Sequence, residues 1–142
     1  MILGLDGSQK MSKSRNNAVA IRASEEETSR LIKRAKTDSD QEITYDPENR
    51  PEVANLLRIA SLTTGRSPSD IVNGIGGQGA AKLKELVVDA LNAYLTPIRT
   101  RRREIERDPG YVREVLVRGT ERAREEGART LDEVRQVMNM VL

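Results

Sequence analysis

The sequence predicts an all-α fold, a helical bundle of about six helices preceded by a short segment that reads as loop and strand. Three observations carry that expectation. Aromatic residues are confined to Tyr45, Tyr94 and Tyr111, so the core must be built from Leu, Ile, Val and Ala, which suits helix packing. From Ser24 onward, apolar residues recur at helical spacing between capping residues. Before Ser24 the pattern differs: short apolar runs bracket a polar loop in "MILGLDGSQKMSKSRNNAVAI". With 142 residues the chain can bury one real core, and the change in pattern divides residues 1–22 from residues 23–142.

The helices follow in order. Ser24 and Glu27 have capping-box spacing, and Leu31, Ile32 and Ala35 give the first helix an apolar face to about Lys36. "TDSDQEITYDPEN" is a polar linker. Pro51 suits a first helical turn, with Val53, Leu56, Leu57 and Ala60 on one side and Gly65 as a stop. Ser67 and Pro68 open a third helix that runs to about Ile75. After "GGQG" comes the longest periodic run, from Leu83 through Val87, Leu91, Tyr94 and Ile98 to Ile105. Pro97 inside it predicts a kink rather than a break. Beyond "DPG", Tyr111, Val112, Val115, Leu116 and Ala123 mark a fifth helix ended by Gly127. Thr130 and Glu133 cap a sixth, with Leu131, Val134, Val137 and Met138. The Leu and Val stripes are expected to be core.

Composition excludes several chemistries. There is no cysteine and no histidine, so a thiolate or imidazole zinc site and a Ser-His or Cys-His nucleophile are ruled out. No apolar run approaches ~20 residues, and the start lacks the pattern of a secretory signal, so a cytoplasmic protein with no membrane partner is expected. With 24 basic and 22 acidic residues, the net charge of +2 does not by itself point to nucleic acid. Its distribution is more informative, because Lys10, Lys13, Arg15 and Arg22 face only Asp6 in the first 22 residues.

Two lysines at i and i+3 in a loop of small polar residues can converge on neighbouring phosphates. Each is a compact point charge on a flexible stem, suited to a phosphate that moves during a reaction. Ser12 and Ser14 add hydroxyl donors, and Met11 supplies an apolar anchor. A solvated basic turn is the ordinary reading of a lone K-x-x-K. A specified pentapeptide, however, arises by chance on the order of once in ten thousand chains of this length.

At Lys10-Met11-Ser12-Lys13-Ser14 the chain resembles the second signature of the class I aminoacyl-tRNA synthetases. The wider context resembles the bacterial type of tryptophanyl-tRNA synthetase. It comprises "GLDGSQKMSKSRNNAVAI", "TDSD" at 37–40, "RPEVANLL" at 50–57, "TGRSPSDI" at 64–71, "LTPIRTRRREI" at 95–105 and a terminal "LDEVRQVMNMVL". One stretch departs from that family: "GIGGQGAAKLK" stands where aromatic and glycine residues are usual.

The resemblance implies that residues 1–22 are the end of an α/β nucleotide-binding catalytic domain and that residues 23–142 form a helical anticodon-binding domain. It implies that Lys10 and Lys13 are catalytic and that Lys10, Met11, Ser12, Lys13 and Ser14 hold the phosphates of ATP, which Mg2+ accompanies. Arg34, Asp38, Ser39, Asp40, Lys82 and Lys84 become candidate tRNA contacts. The implied partners are tRNA(Trp), ATP and tryptophan in a homodimeric parent, with no DNA. The family's histidine signature and amino-acid pocket are not in this sequence. The chain alone is therefore expected to be inactive, to hold no cofactor tightly and to have no protein-held metal. Two other readings stay open. One is a free-standing, non-catalytic helical module that binds RNA or a partner; the other is a helical bundle whose pentapeptide is accidental.

Overall fold

The computed structural model describes residues 2–7 and 9–140, and it divides the chain into two compact units, Met1–Arg99 and Thr100–Leu142. Among the described residues there are five α-helices: α1 (Glu25–Lys33), α2 (Pro51–Thr64), α3 (Pro68–Ile75), α4 (Gly79–Glu106) and α5 (Pro109–Val137). A 3-10 turn covers Lys13–Arg15.

Two expectations need correction. The count is five helices, not six, because Gly127 does not end the fifth. It is absent from the glycines with positive φ, and it lies inside the continuous α5. Thr130 and Glu133 are therefore interior residues of that helix and cap nothing. A glycine stops a helix when it takes the left-handed conformation, and flanking Ala, Arg and Glu instead favour continuation. The opening segment likewise forms no strand among the described residues, so it is not a strand remnant of an α/β domain. Its β geometry is one isolated antiparallel bridge, Leu3 to Lys10. Polar residues follow the short apolar run, and the main-chain groups find other partners.

The remaining boundaries follow their local chemistry. Ser24 accepts a hydrogen bond on Oγ from the Glu27 amide at 3.0 Å, and Glu25, Glu26 and Glu27 favour the positive end of the α1 dipole. Gly65, at φ 73°, closes α2 by donating its amide to the Ser61 carbonyl. Ser67 caps α3 through the Asp70 amide, and Asp108 caps α5 through the Tyr111 amide. α4 runs unbroken through Pro97.

In the first unit α2 is central. Val53, Ala54, Leu56, Leu57, Ile59 and Ala60 are all buried, which places apolar contacts around most of its circumference. Ile32 from α1, Ile71 and Ile75 from α3, and Leu83 and Val87 from α4 complete this core. Each fully buried side chain of this size contributes about 1.5–3 kcal/mol. Leu5 joins the same cluster, so the opening segment shares the helical core. On α4 the expected stripe is only partly buried: Leu83, Val87 and Leu95 are covered, whereas Tyr94 and Ile98 are exposed. In the second unit, no residue of α5 is buried. Val112, Leu116, Leu131, Val134 and Val137 were expected in a core, and all are exposed. Their spacing sets a helix but supplies no neighbour.

Candidate functional site: the lysine loop and its supports

The lysine loop is positioned by amides that reach across the fold. Asn55, buried on α2, accepts the Leu3 amide hydrogen at 2.8 Å and donates from Nδ2 to the Leu3 carbonyl at 3.0 Å. Asn17, also buried, accepts the Ser12 amide hydrogen at 2.8 Å. Its Nδ2 donates to both carboxylate oxygens of Asp6 at 3.2 Å. The Leu5 amide donates to the Asn17 carbonyl, and the Lys36 amide donates to the Leu5 carbonyl. A chain of bonds thus runs from the loop through Asn17 to the segment that follows α1. Gly4 permits this approach, since an added Cβ would lie 2.1 Å from Asn17 Nδ2. Neither asparagine was singled out in the sequence. The signal was thin: one amide in "RNN" and one apparently misplaced polar residue in "EVANLL".

On this support the five signature residues sort by chemistry. Met11 is partly buried and packs against the core. Lys10 and Lys13 are exposed, and neither enters an ion pair among the described residues. Ser12 and Ser14 share a hydrogen bond between their hydroxyls at 2.9 Å. Lys13 opens the 3-10 turn, and Asn16 closes it at φ 52°. Arg15 donates to Gln9 Oε1, which ties the two sides of the loop. Two uncommitted ammonium groups and two hydroxyls on a braced backbone fit a polyphosphate in donor type. Among the described residues no group of three or more acidic side chains is placed to hold a metal ion.

The other candidates lie beyond α1 and at the start of α4. Asp38 accepts a bidentate pair from Arg50, with Nη2 at 2.7 Å and Nε at 2.8 Å. That guanidinium bond holds the Asp38 carboxyl below the usual carboxylate range. Arg50 also donates to the Glu42 carbonyl and to Thr44 Oγ1, so it organises the whole linker. Asp38 is therefore largely committed to structure, while Ser39 and Asp40 stay exposed. Lys82 pairs with Glu85 at 3.2 Å. Lys84 donates to the Lys33 carbonyl at the end of α1, and partial burial lowers its pKa. Arg34 lines a cleft of about 450 Å³ together with Arg15 and Asn17.

Arg99 takes a part that its surrounding basic cluster concealed. It bonds to the Ala23 carbonyl at 2.9 Å and to Thr28 Oγ1 at 2.8 Å, which fastens the start of α1. Arg101 and Arg102 instead form exposed pairs with Glu104 and Glu106 along their own helix.

Comparison with known proteins agrees along nearly the whole chain. The family described as tRNA synthetases class I (W and Y) matches residues 1–96. Tryptophan–tRNA ligase from Corynebacterium glutamicum is 41% identical over 128 residues, which is 88% of this chain and 37% of the relative. The Rickettsia conorii enzyme of the same name is 34% identical over 140 residues, covering 96% of this chain and 42% of the relative. The crystal structure of tryptophanyl-tRNA synthetase from Campylobacter jejuni complexed with ADP and tryptophan superposes with a TM-score of 0.76 at 27% identity. That likeness covers 97% of this chain and 43% of the other. The chain thus spans about two fifths of the length of the relatives it matches. Val141 and Leu142, which end the "LDEVRQVMNMVL" match, lie outside the described residues.

Proposed function

Because the chain belongs to the class I tRNA synthetase family of W and Y enzymes, we propose that it is the lysine-loop and tRNA-binding part of a tryptophan–tRNA ligase. The observation that carries this reading is the braced loop with two lysines unpaired among the described residues. In the reaction of the whole enzyme, a carboxylate oxygen of tryptophan attacks the α-phosphorus of ATP. The bond from that phosphorus to the bridging oxygen breaks, and pyrophosphate leaves. Lys10 and Lys13 stabilise the charge gathering on the leaving group, and Ser12 and Ser14 donate hydrogen bonds to its oxygens. Mg2+ carried by the nucleotide phosphates would supply further positive charge to the leaving group. The Asn17 amide holds the Ser12 main chain so that both lysines work from a fixed base. In the second step the adenylate's carbonyl carbon passes to a tRNA hydroxyl and AMP departs.

The helical residues Arg34, Ser39, Asp40, Lys82 and Lys84 serve tRNA binding in this reading, with Asp38 holding the linker in shape. The relatives' length supports a further point: adenylate formation needs residues beyond this segment, including a second contact to ATP. The decisive experiment is amine-reactive labelling of the whole enzyme with and without millimolar MgATP. Selective protection of Lys10 and Lys13, relative to Lys33 and Lys82, is expected. Equal labelling of all four would overturn the role of the loop. Tryptophan-dependent ATP–pyrophosphate exchange by this chain alone would overturn its need for the rest of the fold.

A further inference from the structure

Beside the lysine loop lies a concentration of guanidinium groups, of which the reading above uses only Arg34. Arg15 comes from the loop, and Arg30 and Arg34 come from α1 and its C-terminal residue; all three open on the 450 Å³ cleft. Arg30 and Arg34 are one helical turn apart, an arrangement in which like charges repel. The negative end of the α1 dipole favours a cation there, but it does not account for Arg15 reaching the same cleft from a separate segment. Of the cations lining it, Lys36 is held by Glu52 at 2.7 Å, and Arg15 donates to Gln9 Oε1. Arg30 and Arg34 have no side-chain hydrogen bond or ion pair among the described residues. The carboxylate in the wall, Asp6, already accepts from Asn17.

We propose that this cleft is a phosphate site for an RNA strand, separate from the nucleotide-binding lysines; the choice of RNA rests on the family reading above. Guanidinium forks pair bidentately with phosphate oxygens, and their planes stack on bases. Arginine stacking also answers the shortage of aromatic side chains, with three tyrosines in the whole sequence. Asn17 stands in the wall of the cleft and holds the Ser12 amide. A backbone seated here therefore abuts the support of the loop that handles ATP.

The test uses the 142-residue chain and a fluorescein-labelled single-stranded RNA of about twelve nucleotides, followed by anisotropy between about 50 and 200 mM KCl. Replacing Arg30→Gln and Arg34→Gln together is expected to weaken binding roughly tenfold at the lower salt and to reduce the salt slope by about 1.4. The Arg30→Lys, Arg34→Lys pair should restore the slope while recovering only part of the affinity. Arg101→Gln with Arg102→Gln, which removes paired surface cations, should change little. An unchanged slope in the glutamine pair overturns the proposal. So does phosphate-31 NMR showing Arg30- and Arg34-dependent binding of inorganic phosphate when RNA binding ignores both residues. The lysine pair keeps the test decisive if the glutamine pair fails to fold, because equal affinity and slope in wild type, lysine pair and surface control would then refute the site. Failure of this site is distinguishable from failure of the loop, since Lys10→Ala with Lys13→Ala removes the loop's cations and should keep the Arg30- and Arg34-dependent slope.

Discussion

α2 and α5 both carry Leu and Val at helical spacing, yet they meet opposite surroundings. On α2, Leu56 and Leu57 are 1% and 0% exposed; on α5, Leu116 is 65% exposed. The shorter helix is encircled by α1, α3, α4 and the opening segment through one apolar cluster. The longer one holds itself by local means: a Pro109 first turn, the Asp108 cap and pairs such as Glu126 with Arg129. Periodicity fixes which backbone forms; it does not say whether a partner surface exists.

That contrast can be broken by paired substitutions. Leu57→Ala removes a fully buried side chain and should cost about 3 kcal/mol in urea unfolding. Leu116→Ala should stay within about 0.5 kcal/mol. Equal losses would mean that the α5 stripe is covered in solution.

A smaller effect separates the two kinds of buried group in the first unit. Asn55→Ala leaves the Leu3 amide and carbonyl without their partner, at a cost of about 2 kcal/mol. Hydrogen exchange at the Leu3 amide should accelerate in step, and retained protection would show that another group takes over.

The two glycines expected to stop helices give opposite signs. Gly65 has φ 73°, so Gly65→Ala should destabilise by about 1 kcal/mol. Gly127 lies inside α5 with nothing within 4 Å of an added Cβ, so Gly127→Ala should raise helicity and stability by roughly 0.5–1 kcal/mol. Loss of helicity on that change would restore a boundary at 127.

The smallest effect is electrostatic. The folded Asp38 carboxyl titrates below its ordinary value because of its bond to Arg50. Its stabilising contribution is therefore complete above the unfolded pKa and disappears as pH falls through the folded one. Asp38→Asn should lower stability at neutral pH by about 0.5 kcal/mol and flatten the acid limb below about pH 4. An unaltered acid limb would remove Asp38 from the linker's support.

What could be read from the sequence was what neighbours along the chain decide. Ser24, Ser67 and Gly65 mark ends because capping requires only the adjacent turn, and Met11 reads as an anchor from its place among polar residues. The long-range bonds left no local trace: Arg99 reaches Ala23, and Asn55 reaches Leu3, across more than fifty positions. Arg99 sits among arginines that face solvent, so composition hid the one with a fixed task. The exposed stripe on α5 was illegible for the complementary reason, since a side chain does not encode the absence of a cover.

The pairing of Asn55 with Leu3 sets which mutations the start of the chain can accept. A carboxamide offers the same donor and acceptor as a peptide group, and here it reads main-chain atoms, the Leu3 amide and carbonyl and the Gly4 carbonyl. Side-chain identity at Leu3 can drift with little penalty to registration, whereas proline, having no amide hydrogen to offer, would unfasten the segment on which the lysine loop is mounted.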